Sequence, residues 1–109
     1  MLTINRNADG EKVTFSLEGR LDVASAPQLE EELRRELEHA TELVFDLRGL
    51  RYISSAGLRV LLLAQKQMNK RGRMRLVHVT EAVMDTLEIT GFADIFYIAD
   101  SEPVTVTND

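Results

Sequence analysis

The chain contains no cysteine, which excludes a disulfide framework, a thiolate metal site and a cysteine nucleophile and fits a reducing compartment. The cytoplasm is the expected location. Long apolar runs are also missing: none approaches the ~20 residues needed to span a bilayer, and Met1 to Arg6 has no basic segment followed by an apolar one. Neither export nor a membrane partner is expected. Positive charge is not in excess, since 13 Lys and Arg stand against 18 Asp and Glu for a net charge of -5. Nucleic-acid binding rests on clustered cations, so no nucleic-acid partner is expected. The one basic cluster, Lys66 to Arg75, reads as a solvated helix end whose cations complement the helix dipole.

Chemistry-bearing patterns are scarce too. A serine between strand and helix would suit a nucleophile elbow, but Ile53-Ser54-Ser55-Ala56-Gly57 lacks the first flanking glycine. The only histidines, His39 at a helix end and His78 within a strand pattern, offer no base for a triad. Gly49 and Gly57 do not give the spacing of a phosphate-cradling loop. Asp22, Glu42 and Asp46 show no metal-ligand spacing and read as solvated or capping carboxylates, and Met74 and Met84 as core filler. No catalysis, metal or cofactor is therefore expected.

What is there is ordinary globular material. The chain has 109 residues, 44% hydrophobic and 28% charged, enough for one domain whose single core buries somewhat more than ~60% of the unfolded surface. Lys12 to Leu17 alternates in the manner of a half-buried strand ended by Gly19, and Leu2 to Asn5 precedes it across an Asp9-Gly10 turn. Ser25 offers a helix N-cap, with Pro27 in the first turn and Gln28 as capping-box partner. Leu29, Leu33, Leu37 and Ala40 then recur at helical spacing, while Glu30 with Arg34 and Glu31 with Arg35 pair on the other side.

Glu42 to Leu47 reads as a strand covered on both faces. A second helix begins near Ser54 and runs to about Lys70, capped by Gly72, with more apolar residues than one stripe requires, so that some are exposed or at an interface. Met74 to Val79 is a strand. Thr80 caps a third helix with Ala82, Val83, Leu87 and Ile89 on its buried side, ended by Gly91. Ile95 to Ile98 is a last strand. The tail from Asp100 to Asp109 is expected to fray, with Val104 and Val106 as candidates for an edge strand. Strands alternating with helices from residue 42 imply right-handed crossovers in a parallel or mixed sheet, with an N-terminal hairpin adding antiparallel pairing.

The serine pair stands out. Ser54 at the helix start can cap through its side-chain oxygen, which explains one serine and not two. Ser55 in the first turn would place its hydroxyl beside unpaired backbone N–H groups, where a phosphate gains roughly 0.3–1 kcal/mol from the helix dipole.

Glu18-Gly19-Arg20-Leu21-Asp22, Leu43 to Leu47 with Gly49-Leu50, Tyr52-Ile53-Ser54-Ser55-Ala56-Gly57-Leu58, and Ala82-Val83 through Leu87 to Thr90-Gly91-Phe92 together resemble the STAS domains, in particular the bacterial anti-sigma factor antagonists. Nearly the whole domain, 1–109, is covered in order. The resemblance implies an α/β STAS fold: a mixed sheet of four to five strands with helices mainly on one side and an N-terminal hairpin. It also implies a non-enzymatic switch, acting as a monomer. The unphosphorylated form binds an anti-sigma factor that is also a serine kinase and frees the sigma factor. Phosphorylation then abolishes binding, and a metal-dependent serine phosphatase restores it. Carried over by position, the phosphoacceptor is Ser55, with Ser54 as the alternative, because many members have Asp where Ser54 stands. The partner-binding surface would comprise Asp22, Ser54, Ser55, Gly57, Arg59, Leu62 and Leu63. A scaffolding STAS module of a transport, secretion or chemosensory complex, with no phosphorylation cycle, is the rival expectation.

Overall fold

An antiparallel hairpin opens the chain: β1 (Leu2–Asp9) returns as β2 (Lys12–Leu21) through Gly10, whose φ of 63° a side chain would strain. There follow α1 (Ala26–Glu36), β3 (Glu42–Ile53), α2 (Ser55–Arg71), β4 (Arg73–Val77), α3 (Glu81–Thr90), a 3-10 turn (Phe92–Asp94) and β5 (Ile98–Ala99). The computed structural model describes residues 1–99, so the expected fraying of 100–109 and the edge strand at Val104 and Val106 lie outside the described residues.

The five strands lie in the order β1-β2-β3-β4-β5, with β2 to β5 mutually parallel. Each crossover advances in the same direction across the sheet, so the right-handed rule puts all three helices on one face. The core lies between them. Phe15 stacks on Phe45 with ring centroids 5.9 Å apart, and Leu29, Leu61, Met68 and Leu87 come down from the helices with no exposed surface. Leu43, Val44, Phe45 and Leu47 are all buried, as a central strand requires.

Several expectations fail at their edges, each for a physical reason. β2 passes through Gly19 at φ 103° to reach Leu21, because the backbone of Met1 packs where a Cβ would stand and Met1 O accepts from Arg20 N at 3.1 Å. β3 continues well past Leu47 to Ile53, with register shifts against β2 between Ser16 and Glu18 and between Gly19 and Arg20. These bulges place its inward residues at Leu47, Leu50 and Ile53, which hides the strand from a search for alternation.

β4 stops at Val77, and His78, expected within the strand, turns the chain at φ 55°. Ile89 is 86% exposed instead of buried. The expected strand from Ile95 to Ile98 is mostly a turn: Gly91, at φ 83°, ends α3, and the 3-10 turn then sets Phe92 against Phe96, leaving only Ile98–Ala99 extended. Arg75 is not part of a solvated helix end; it is buried in β4 and pairs with Glu42 at 2.6 Å.

Candidate functional site

The bulged ends of β2 and β3 carry the site. Leu21 and Ile53 lie side by side with their side chains in the core, and Ser54 N donates to Leu21 O at 2.9 Å, tying the two strand ends together. Ser54 is still extended (φ -98°, ψ 174°), which turns its Oγ toward the new helix, where it accepts from Gly57 N at 3.3 Å. That makes Ser54 the N-cap and Ser55 the first helical residue, exposed at the positive end of α2. Gly57 was expected on the partner-facing surface, yet it is buried. A Cβ there would stand 2.7 Å from Leu21 Cγ and 3.0 Å from Ile53 Cγ1, so glycine lets the first turn of α2 sit down on the strand ends.

Beside it, the loop between β2 and α1 is held shut. Asp22 Oδ1 accepts from Ala24 N and Ser25 N, each at 3.1 Å, and Asp22 N donates to Ser25 Oγ at 2.9 Å. Ser25 Oγ donates its proton to Arg20 O at 2.8 Å, with Asp22 Oδ1 at 3.1 Å as the alternative acceptor. The Asp22 carboxyl is held below its ordinary value, chiefly by the Ser25 backbone N–H, with the Ser25 hydroxyl and Ala24 N–H adding to it against some desolvation. Ser25 does precede α1, but its side chain makes no cap bond and Gln28 Nε2 reaches Leu2 O at 3.4 Å, so the expected capping box is not formed.

Arg20 completes this edge. Its guanidinium lies 4.1 Å from the centroid of the Tyr52 ring, and its Nε is 3.7 Å from Asp22 Oδ2. Along α2 the exposed residues Ser55, Arg59 and Leu63, with half-buried Leu62, follow helical spacing and form one stripe leading away from the serine. Asp22, Ser54, Ser55 and the start of that stripe are thus gathered at one end of the sheet, while Leu62 and Leu63 lie two turns down the helix.

Sequence reasoning missed the clasp made by Ser25, the Arg20–Tyr52 stack and Val23, which stands out from the loop 76% exposed. An Asp three residues ahead of a Ser was the available signal, since that spacing favours side-chain-to-backbone bonding within a turn. Among the described residues no group of three or more His, Asp or Glu could hold a metal ion. No helix among them is long and apolar enough to cross a membrane.

A family model for the STAS domain matches residues 3–104. BtrV of Bordetella bronchiseptica, named for an inferred role as anti-sigma factor antagonist, is 42% identical over 87 residues, covering 78% of this chain and 75% of its own length. The anti-sigma-B factor antagonist of Bacillus subtilis is 32% identical over 88 residues, covering 80% of this chain and 81% of the relative. Among solved structures, an anti-sigma factor antagonist from Mycobacterium paratuberculosis superposes with a TM-score of 0.84 over 94% of this chain and 88% of that one, at 21% identity. That last likeness is one of fold.

Proposed function

This chain belongs to the STAS domain family, and on that footing we propose that it is an anti-sigma factor antagonist that works by partner switching in the cytoplasm. Unmodified, it docks on an anti-sigma factor with serine kinase activity through the Asp22 loop, Ser55 and the stripe of α2 through Arg59, Leu62 and Leu63. The kinase transfers phosphate to Ser55, the complex separates, and a serine phosphatase resets it. The chain itself catalyses nothing; its serine is a substrate. The names of the two relatives support the antagonist role.

The observation that carries the reading is the division of labour between the two serines. Ser54 Oγ is engaged with Gly57 N, whereas Ser55 is exposed on the first turn of a helix with no acidic residue in that turn. A phosphate there adds roughly -1.5 to -2 charges beside backbone N–H groups that favour an anion, so the fold accepts it. A docked interface does not. Desolvating that charge against a surface shaped for a neutral hydroxyl needs to cost only ~2.8 kcal/mol to weaken binding a hundredfold.

Titration calorimetry and intact-mass measurement with an anti-sigma factor of serine kinase activity from the same organism test the reading. Ser55→Ala should hold that partner in the presence of ATP and gain no mass, and Ser55→Asp should bind about a hundredfold more weakly. A folded Ser55→Asp variant that binds as tightly as the wild type would remove the switch.

A further inference from the structure

We infer that Val23 is a preorganised apolar anchor that selects the partner, held out by the Asp22–Ser25 clasp, and that it fits an apolar socket with an acidic rim on the partner's surface. The inference rests on the partner-switching reading and adds to it a contact residue and the chemistry of the surface it meets. Scattered exposed apolar side chains are common on proteins, and most need no explanation. Val23 differs in what holds it.

A loop tip carrying a valine 76% exposed would ordinarily be free to move. Here the flanking residues are fixed on both sides. Besides the carboxylate and hydroxyl bonds of the clasp, Asp22 O accepts from Ser25 N at 3.1 Å and Ala26 N at 2.8 Å. Ser25 is itself buried, and Arg20 on the strand side donates its N–H to Met1 O. None of these bonds serves Val23 directly; all of them fix the backbone from which it projects. An apolar side chain already held in its bound position loses little freedom on docking, so more of its burial appears as affinity. The Asp22 carboxylate faces its own loop, so the apolar residue beside it is what the loop presents outward.

The surroundings give the socket its rim. The chain carries a net charge of -5, yet Arg20, Arg51 and Arg59 are exposed around this end. Two helices begin here, and neither α1 nor α2 has an acidic residue in its first turn. The positive end of α1 faces the Asp22 carboxylate, whereas that of α2 has no such partner and lies open beside exposed Ser55. An acidic rim complements that edge, and a phosphate on Ser55 would face the rim with like charge. The same surface thus accounts for recognition and for release.

In this assignment Val23 touches the partner, and Asp22 and Ser25 are positioning residues. Calorimetry and dissociation kinetics against the same anti-sigma kinase should show Val23→Ala weakened about tenfold, mostly in the rate of dissociation, and Val23→Ile within threefold of wild type. Stability should be unchanged in both, since the side chain is in water in the free protein. Asp22→Asn should weaken binding alone and add nothing in the Val23→Ala background, which separates positioning from a direct charge contact.

Binding by Val23→Ala within twofold of wild type, with Ser55→Asp still blocked, overturns the anchor and leaves the switch standing. Weak binding by Val23→Ala with tight binding by Ser55→Asp supports the anchor and removes the switch. No binding by the wild type overturns both.

Discussion

Ser25 and Ser54 hold the same place in front of their helices and do different work. Ser54 leaves a strand in extended conformation and its oxygen turns forward to Gly57 N. Ser25 leaves a turn with φ -100° and ψ -14°, already near helical values, and its oxygen turns back to Asp22 N and Arg20 O. Two neighbours decide the difference. Pro27 removes one of the first-turn amides that a cap would serve, and Gln28 N is taken by Ser25 O at 3.0 Å. Asp22, three residues earlier, supplies competing partners. One helix start has become a clasp that fixes a loop, and the other a cap that leaves the following serine displayed.

The contrast can be broken by removing each hydroxyl in turn. Ser25→Ala would leave a part-buried donor on Asp22 and a part-buried acceptor on Arg20 without their partner, and should lower stability by about 2 kcal/mol, near 10 °C in melting temperature. Ser54→Ala deletes one cap bond at a helix end and should lose only ~1 kcal/mol. Urea denaturation of the two variants beside wild type reads the difference, and equal losses would mean that the clasp is no stronger than an ordinary cap.

How much of this was legible in the sequence follows the same line. Where one local rule acts alone, the residues declare their structure: Glu30 and Arg34 pair at 3.3 Å as their spacing implies, Thr80 caps α3, and Gly91 ends it in the left-handed region. Where two rules compete, they do not. The far half of β3 was invisible because two bulges break its alternation, although Leu50 and Ile53 are as buried as Leu43. Ile95 to Ile98 has strand composition, but Gly91 starts a turn whose phenylalanines, four residues apart, pack in a tilted pair with centroids 5.8 Å apart. The serine pair was readable because nothing near it competes. The role of Ser25 was not, because the choice between cap and clasp is made by Asp22 and Pro27 together.

A gentler probe of the clasp is pH. The Asp22 carboxyl is held below its ordinary 3.8, above all by the Ser25 N–H, so the folded protein favours the ionised form more than the unfolded chain does. That contribution is fully present above 3.8 and is lost as pH falls through the lowered native value. Stability of wild type relative to Asp22→Asn should therefore be constant from neutral pH to about 5 and shrink as the pH falls below 4. A difference that stays level through this range would mean that hydrogen-bond geometry, and not charge, closes the loop.

The smallest effect concerns the displayed serine itself. Arg59 follows Ser55 by four residues on the exposed face of α2, the spacing at which opposite charges on a helix attract by about 0.2–0.5 kcal/mol. A phosphate on Ser55 also meets the positive end of the helix, worth roughly 0.3–1 kcal/mol. The phosphorylated protein should therefore melt slightly above the unmodified one, and Arg59→Ala should remove about 0.3 kcal/mol of that gain while leaving the unmodified protein unchanged. The sign is what matters. If release of the partner came from loosening α2, phosphorylation would lower the melting temperature; if it comes from charge placed against the partner's surface, the fold tightens while the complex weakens. Thermal denaturation of both forms, with and without Arg59, distinguishes these, and a lower melting temperature in the phosphorylated form would move the mechanism from the interface into the helix.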